Sequence, residues 1–490
     1  MTAAAEKNRV AVERILGQAG LSDRLRSARI AIWTGSEARG RGAEILCEAL
    51  GETLGRMWED VTTAGPLAPT VRAALASASE SCRRPVLDRP WTPPYSFVVE
   101  VGGGAPSDSG PALRFRASGW ESSVGAAGTF GDDPNPVGPL VAASVACAES
   151  FKAVFADRLT GRTIAMPPTH AWSIWDVDVE CPPPAGPLDV PDMHLFGVGA
   201  VSHGFLWLLE RWPYPIRGTV HLIDPDLYDE SNAQRYLGMR AADVGRPKVD
   251  CAAERLRAAQ QGLTVESHRL DMNSYFREFR TDYRVALAVA GLDSFEGRRQ
   301  LALKLPKTIV NLWTDRDTVG AGRFKVGDGW PCTFCVYPEP AASAPDEAGI
   351  VSQAIGLDPY TTRALLASAR PLTVDEAQKV AQKTGMTADR IVGRPIRSVY
   401  GETCATMTVT GAGLGPDADI PLPFSSALAG AGGMVELVRE LSGSSGIPRA
   451  WQYGILNYPL PANWQQKGRL EGCYLCGDAT ATEILEGKYR

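Results

Sequence analysis

The stretch MHLFGVGAVSHGFLWLLERW, residues 193–212, constrains the fold more than any other, because it runs from an apolar strand through a glycine turn into an amphipathic helix. A helix placed there returns along a sheet, so the next strand, TVHLIDPD, can pair in parallel with the first. Gly197, Gly199 and Gly204 punctuate the segment, and the N–H groups that open such a helix can face phosphates. Asp224 ends the following strand, at the position where a ribose hydroxyl is held. Taken alone, these features suit an NAD site, or a turn made only for packing, as well as they suit an ATP site.

The same order occurs earlier in the chain. SARIAIWTG and GRGAEILCEALGETLG read as strand, turn and helix, followed by strand-like runs at YSFVVEVGG and ALRFRASGW. NPVGPLVAASVACAESFKAVFADRL reads as a long helix opened by Asn135 and Pro136. The Pro-rich CPPPAGPLDVPDM reads as a domain boundary, which places one domain at 1–188 and another at 189–490. Residues from about 342 to 400 read as a small helical insertion, and PFSSALAGAGGMVELVRELSG as a small-residue helix suited to close packing on a sheet.

With 56 acidic and 50 basic residues the net charge is −6, which argues against nucleic acid or an anionic membrane as partner and favours a protein or a small molecule. The opening MTAAAEKNRVAVERILG is charged throughout, without an apolar signal core, so the expected compartment is the cytoplasm. There, ten cysteines are not a disulfide framework. Cys47, Cys82, Cys147, Cys181 and Cys251 read as scattered structural thiols.

Two further features carry chemistry. The tract LIDPDLYDESNAQRYLGMRAADVGRPKVD brings Asp224, Asn232, Arg235 and Lys248 onto one segment, a set that a dehydrogenase does not need. Attack of a carboxylate on an α-phosphate does need cations, here Arg235 and Lys248, and a carboxylate for magnesium, here Asp293 in AVAGLDSFEGRR. The pairs Cys332-Thr-Phe-Cys335 and Cys473-Tyr-Leu-Cys476 have the spacing at which each turn aims two thiolates at one zinc. Cys404, in VYGETCATMTVTGAG, stands outside both pairs and is either a core thiol or a nucleophile.

With the glycine turn at Gly197 to Gly204, the D-x-D…S-N-x-Q-R run from Asp224 through Asp226 and Asn232 to Arg235, and G-R-P-K ending at Lys248, the sequence resembles the ThiF/MoeB/ubiquitin-activating enzyme superfamily over about residues 190–340 and 400–480. The resemblance implies an α/β fold of tandem Rossmann-like adenylation domains, one degenerate and one active, with a helical insertion and a zinc clasp. It implies ATP and Mg2+ at Gly197, Gly199, Gly204, Asp224, Asp226, Asn232, Arg235, Lys248 and Asp293, and Zn2+ held by Cys332, Cys335, Cys473 and Cys476. Ser202 and His203 depart from the small residues usual in the turn, and are expected to loosen the helix contact there.

The resemblance also assigns Cys404 the thioester role, since activating enzymes of the autophagy and UFM types carry that cysteine just before the corresponding helix. A ubiquitin-like protein is then the substrate, a conjugating enzyme the recipient, and a homodimer an open possibility. In the first half, Glu37 and two arginines interrupt the turn of WTGSEARGRG, as in an inactive copy. Such a copy offers an arginine from its N-terminal helix to the active site; Arg9 best matches it, and Arg14 is the fallback. The alternative reading is a ThiF/MoeB-type adenylyltransferase acting in sulfur transfer or peptide modification, with no conjugation step. The Ala-, Gly- and Arg-rich composition resembles that of bacterial proteins, whose doubled activating enzymes resemble those of phage-defence conjugation systems.

Overall fold

The computed structural model describes residues 2–84, 89–125, 130–161, 163, 165–175, 185–337, 347–368, 370–400, 420–443, 450–458, 465–466, 468–473, 475–477 and 479–490. Their strands form two sheets. The first runs in the order β2 (Asp60–Ala64), β1 (Arg29–Thr34), β3 (Phe97–Val101), β4 (Ala112–Ser118), β5 (Glu121–Val124), β6 (His170–Ser173). Its first four strands pair in parallel and its last two are antiparallel. Ile30, Ala31 and Ile32 are all buried, as a strand covered on both faces requires.

The second sheet runs β14 (Gln465–Gln466), β13 (Ala450–Gly454), β12 (Thr318–Phe324), β11 (Thr308–Asp315), β10 (Leu287–Ala290), β7 (Leu188–Phe196), β8 (Ile216–Ile223), β9 (Leu263–His268). From β11 to β9 the pairing is parallel, and β12, β13 and β14 extend it antiparallel. β7 lies between β10 and β8, so strand order reverses there and opens a crevice at the C-terminal ends of the strands.

The end of the Pro-rich stretch is not a linker. Leu188 already pairs with Ile216, so a boundary after residue 188 falls inside β7, and the register shifts between Val190 and Met193. Pro191 lies in that gap, where its missing N–H leaves the ladder one donor short.

The two halves share one apolar core. Helix Val137–Val154 packs against helix Arg41–Met57 on one side and helix Pro423–Leu441 on the other. It is long and apolar enough to cross a membrane, but 94% of it is buried inside the protein. Asn135 does open it, its Oδ1 accepting from Val137 N at 3.0 Å. The insertion is helical as expected, with helices Glu347–Ile355, Pro359–Ser368 and Val374–Thr384 around a separate core of Val351, Ile355, Leu365, Val380, Ile391 and Val399.

Candidate functional site

At the end of β7 the chain turns through Gly197, whose φ of +85° lies in the left-handed region that favours glycine. A Cβ at this position would lie 2.8 Å from Gly291 O, in the turn after β10, so the two strand ends abut. Gly199 opens helix Ala200–Arg211 without a side-chain cap, which leaves its first-turn N–H groups without a side-chain acceptor and suited to an anion.

Asp224 joins the neighbouring turns: its Oδ2 accepts from Val198 N at 2.7 Å and its Oδ1 from Asp226 N at 2.8 Å. Burial pushes its carboxyl up to about 6 even with Lys248 nearby. Lys248, buried at the start of helix Lys248–Ala259, places Nζ 2.8 Å from Asp226 Oδ2 and 4.0 Å from Asp224 Oδ1. Burial opposes its charge, but the two carboxylates outweigh that and hold its pKa well above the ordinary value. The result is a fixed buried cation beside a glycine turn.

Asn232 serves the backbone here, its Oδ1 accepting from Asp229 N at 3.0 Å within a short capped turn. That turn presents Arg235, half-buried, which donates to Ser231 O at 3.0 Å and lies 5.3 Å over the Tyr236 ring. Asp293 is exposed in the turn after β10, just before Ser294 caps helix Phe295–Leu303. The fold thus ties the turn at 197–199 to Asp224 through Val198 N, joins Asp224 and Asp226 to Lys248, and sets Asp293 on the adjoining strand end.

Gly204 faces elsewhere: a Cβ on it would lie 2.8 Å from Ser426 O, so it lets helix Pro423–Leu441 approach. The expected loosening by Ser202 and His203 does not occur. Ser202 Oγ donates to Gly197 O at 2.6 Å, and both side chains are buried. His203 Nδ1 lies 2.8 Å from Gly199 O and Nε2 2.6 Å from Tyr228 OH. A carbonyl only accepts, so Nδ1 carries the proton and Nε2 accepts from the tyrosine. His203, Tyr228 and Tyr236, whose ring lies 4.4 Å from that of His203 at a tilt of 32°, therefore brace the turn. The sequence signal for them is the polar pair Ser202 and His203 within the otherwise apolar run 200–209.

The first half holds the Arg235 segment in place. Helix Ala3–Leu16 packs on the turn Glu230–Asn232, and Arg83 pairs with Glu230 at 2.6 Å. The fully buried Arg56 donates to Ala233 O at 2.5 Å and to Met239 O at 3.0 Å. Arg9 pairs with Glu6 and Glu13 of its own helix, and Arg14 lies in that helix's last turn. At the first sheet's own turn, Glu37 pairs with Arg116 at 2.8 Å and Trp33 Nε1 donates to Gly103 O at 3.1 Å.

The two cysteine pairs meet. Cys332 and Cys473 sulfurs lie 3.6 Å apart, Cys335 and Cys476 3.5 Å, and Cys332 and Cys335 3.9 Å. Four thiolates about 2.3 Å from a tetrahedral zinc would be spaced about 3.8 Å apart. All four side chains are buried, and Leu470 N–H donates to Cys335 Sγ at 3.4 Å, so the donor set and its spacing fit zinc. The following helix, Ala479–Tyr489, returns to the sheet, with Tyr489 Oη donating to Val285 O at 2.7 Å. Cys404 and Cys181 lie outside the described residues. Cys251 is buried, and burial pushes its thiol up to about 11, which leaves little thiolate at neutral pH.

A family model described as ThiF family matches residues 193–437, half of the chain. A Sinorhizobium fredii protein, described as uncharacterized protein y4jF, is 29% identical over 401 residues, 77% of this chain and 76% of its own. NEDD8-activating enzyme E1 catalytic subunits of Dictyostelium discoideum and Drosophila melanogaster are 33% identical over 95 and 82 residues, 19% and 17% of this chain. Those segments span 20% and 18% of the two subunits. On the half-chain match and the crevice just described, the chain belongs to the ThiF family, within the ThiF/MoeB/ubiquitin-activating enzyme superfamily.

Proposed function

We propose that the chain activates a ubiquitin-like protein in two steps. The substrate's C-terminal carboxylate attacks the α-phosphate of ATP and pyrophosphate leaves; the Cys404 thiolate then attacks the acyl carbonyl, forming a thioester as AMP leaves. Enzymes of the ThiF family use ATP and Mg2+, and adenylation chemistry comes with membership. The observation that carries the first step is Lys248, a buried cation held beside the Gly197 turn at the point where strand order reverses.

In this reading the N–H groups after Gly199 and the Lys248 and Arg235 cations take the phosphate charge, Asp224 holds the ribose, and Asp293 holds magnesium. Magnesium supplies charge neutralisation on the phosphates when bound. The residues ahead of β7 act as an inactive adenylation-like domain that buttresses the 230–239 segment, the chain from β7 onward as the active one, and the four cysteines as a zinc clasp. The names of the Dictyostelium and Drosophila relatives support a ubiquitin-like substrate, and a conjugating enzyme would receive the thioester.

The test is ATP–pyrophosphate exchange with a panel of ubiquitin-like proteins, followed by non-reducing electrophoresis. The expected result is exchange that depends on one such protein, with a reductant-sensitive adduct that Cys404→Ala loses while it keeps exchange. Exchange without any adduct in wild type would leave adenylation standing and replace conjugation with sulfur transfer or peptide modification. Absence of exchange with every substrate would overturn the reading.

A further inference from the structure

Three of the chain's five histidines stand in a row across neighbouring strands, in a place that adenylation does not use. His194 on β7 is the register partner of His221 on β8, and their rings stack at 4.4 Å. His268, at the end of β9, stacks on His221 at 5.3 Å. Carboxylates flank the row, Asp192 on the β7 side and Glu266 on the β9 side.

The hydrogen bonds orient these groups. His221 Nε2 lies 2.7 Å from Asp192 Oδ1, and an ionised carboxylate only accepts, so Nε2 carries the proton and Nδ1 presents a lone pair. Arg280 pairs with Asp192 and fixes that carboxylate in turn. On the other side, His221 Nδ1 lies 3.1 Å from His268 Nε2 and 3.3 Å from Glu266 Oε2, and the last two lie 3.7 Å apart. A tetrahedral ion with bonds of about 2.0–2.2 Å spaces its ligand atoms by roughly 3.3–3.6 Å.

We propose that His221, His268 and Glu266 bind a divalent transition-metal ion such as zinc, with Asp192 orienting His221 and a fourth position open to water. The two imidazoles are buried and Glu266 is half-exposed, so an ion reaches the site from the Glu266 side. In the metal-free chain His268 Nε2–H donates to His221 Nδ1, and that proton leaves when the ion enters. The Asp192, His194 and His221 group is not the site, because Arg280 donates to His194 Nε2 at 3.2 Å and pairs with Asp192; it also comes within 3.5 Å of His221, but at Nε2, the side away from the Nδ1 that faces His268 and Glu266. The pairing Asp192–His221–metal repeats the arrangement by which a carboxylate fixes the tautomer of a ligating histidine. Since Asp224 N donates to His268 O at 3.2 Å, an ion here would pin the β8 and β9 ends behind the nucleotide turn.

The probe is Co2+ added to metal-stripped, full-length protein. Thiolate ligands give charge-transfer absorption, so an ion on the cysteine cluster and an ion on imidazole and carboxylate are told apart in one spectrum. Wild type is expected to bind one equivalent without thiolate bands, whatever the cysteine cluster does. His268→Ala should lose that equivalent, and Asp192→Asn should weaken it by about 10–100-fold. Glu266→Gln, at a half-exposed position, should also weaken it, with an unchanged metal-free melt as the check on folding. A wild type without a thiolate-free equivalent, or one whose affinity Glu266→Gln and His268→Ala both leave unchanged, would overturn the proposal.

Discussion

Gly430→Ala tests whether helix Pro423–Leu441 sets the position of the nucleotide turn. A Cβ on Gly430 would lie 2.6 Å from Gly204 Cα and closer still to Gly204 C and Phe205 N, whereas ordinary contact begins near 3.4 Å. All three atoms are backbone of helix Ala200–Arg211, so no rotamer change relieves the clash, and the helices must part by nearly an ångström. Overpacking of this kind costs about 1–3 kcal/mol. Alanine returns about 1 kcal/mol through helix propensity, so Gly433→Ala in the same helix is the matched control. There the three atoms nearest the added carbon all belong to the Leu312 side chain and none to backbone. Unfolding entropy of roughly 2.1 cal/mol/K per residue is about 1 kcal/mol/K over 490 residues. Scanning calorimetry should therefore place Gly430→Ala about 1–3 °C below Gly433→Ala. Pyrophosphate exchange should fall further in Gly430→Ala than its melt explains, because the displaced helix begins at Gly199. If the two variants melt together and exchange equally, the helix contact does not set the turn.

Three other predictions follow from side chains in or near the crevice. Asp293→Ala should abolish pyrophosphate exchange with no change in melting, since the residue is exposed; retained exchange at ordinary magnesium would place the metal on another carboxylate. Arg56→Met should cost about 3–5 kcal/mol, because it leaves the Glu52 carboxylate buried without its cation and takes one donor each from the Ala233 and Met239 carbonyls, which keep Cys82 and Ser81, and should raise the KM for ATP; chemical denaturation and exchange kinetics check both. Asp224 has a folded pKa of about 6 against an ordinary 3.8, so the folded state binds a proton more readily and this site adds stability as pH falls from about 6 towards 4. Asp224→Asn should remove that gain, seen as a flatter melting-temperature profile over the same window; parallel profiles would show that the carboxyl is not held neutral.

Local pattern carried much of this molecule. The run from Met193 to Trp212 announces strand, turn and helix because apolar period and glycine placement are properties of neighbouring residues. The cysteine spacing likewise says that Cys332 can share an ion with Cys335, but not that Cys473 stands 3.6 Å from Cys332. That distance depends on how the C-terminal segment returns to the sheet. Gly204 read as part of a phosphate loop, and only the approach of Gly430, far along the chain, shows that it is a packing residue. His203 looked like a defect in the turn until the fold supplied Tyr228 as a partner.

The histidine row shows the same limit most sharply. His194, His221 and His268 sit on three separate strands, and none stands at a ligand spacing from another along the chain. Parallel pairing of β7 with β8 puts His194 opposite His221, and pairing of β8 with β9 puts Glu266 opposite His221 and His268 two positions further on. Side chains two positions apart share a face of the sheet. One step of slippage in either pairing would send the partner to the opposite face and dissolve the cluster. The apolar residues at Leu195, Leu222 and Val265, buried on the alternate positions, forbid that step. The register that places these ligating groups together is thus enforced by the core packing of the same three strands.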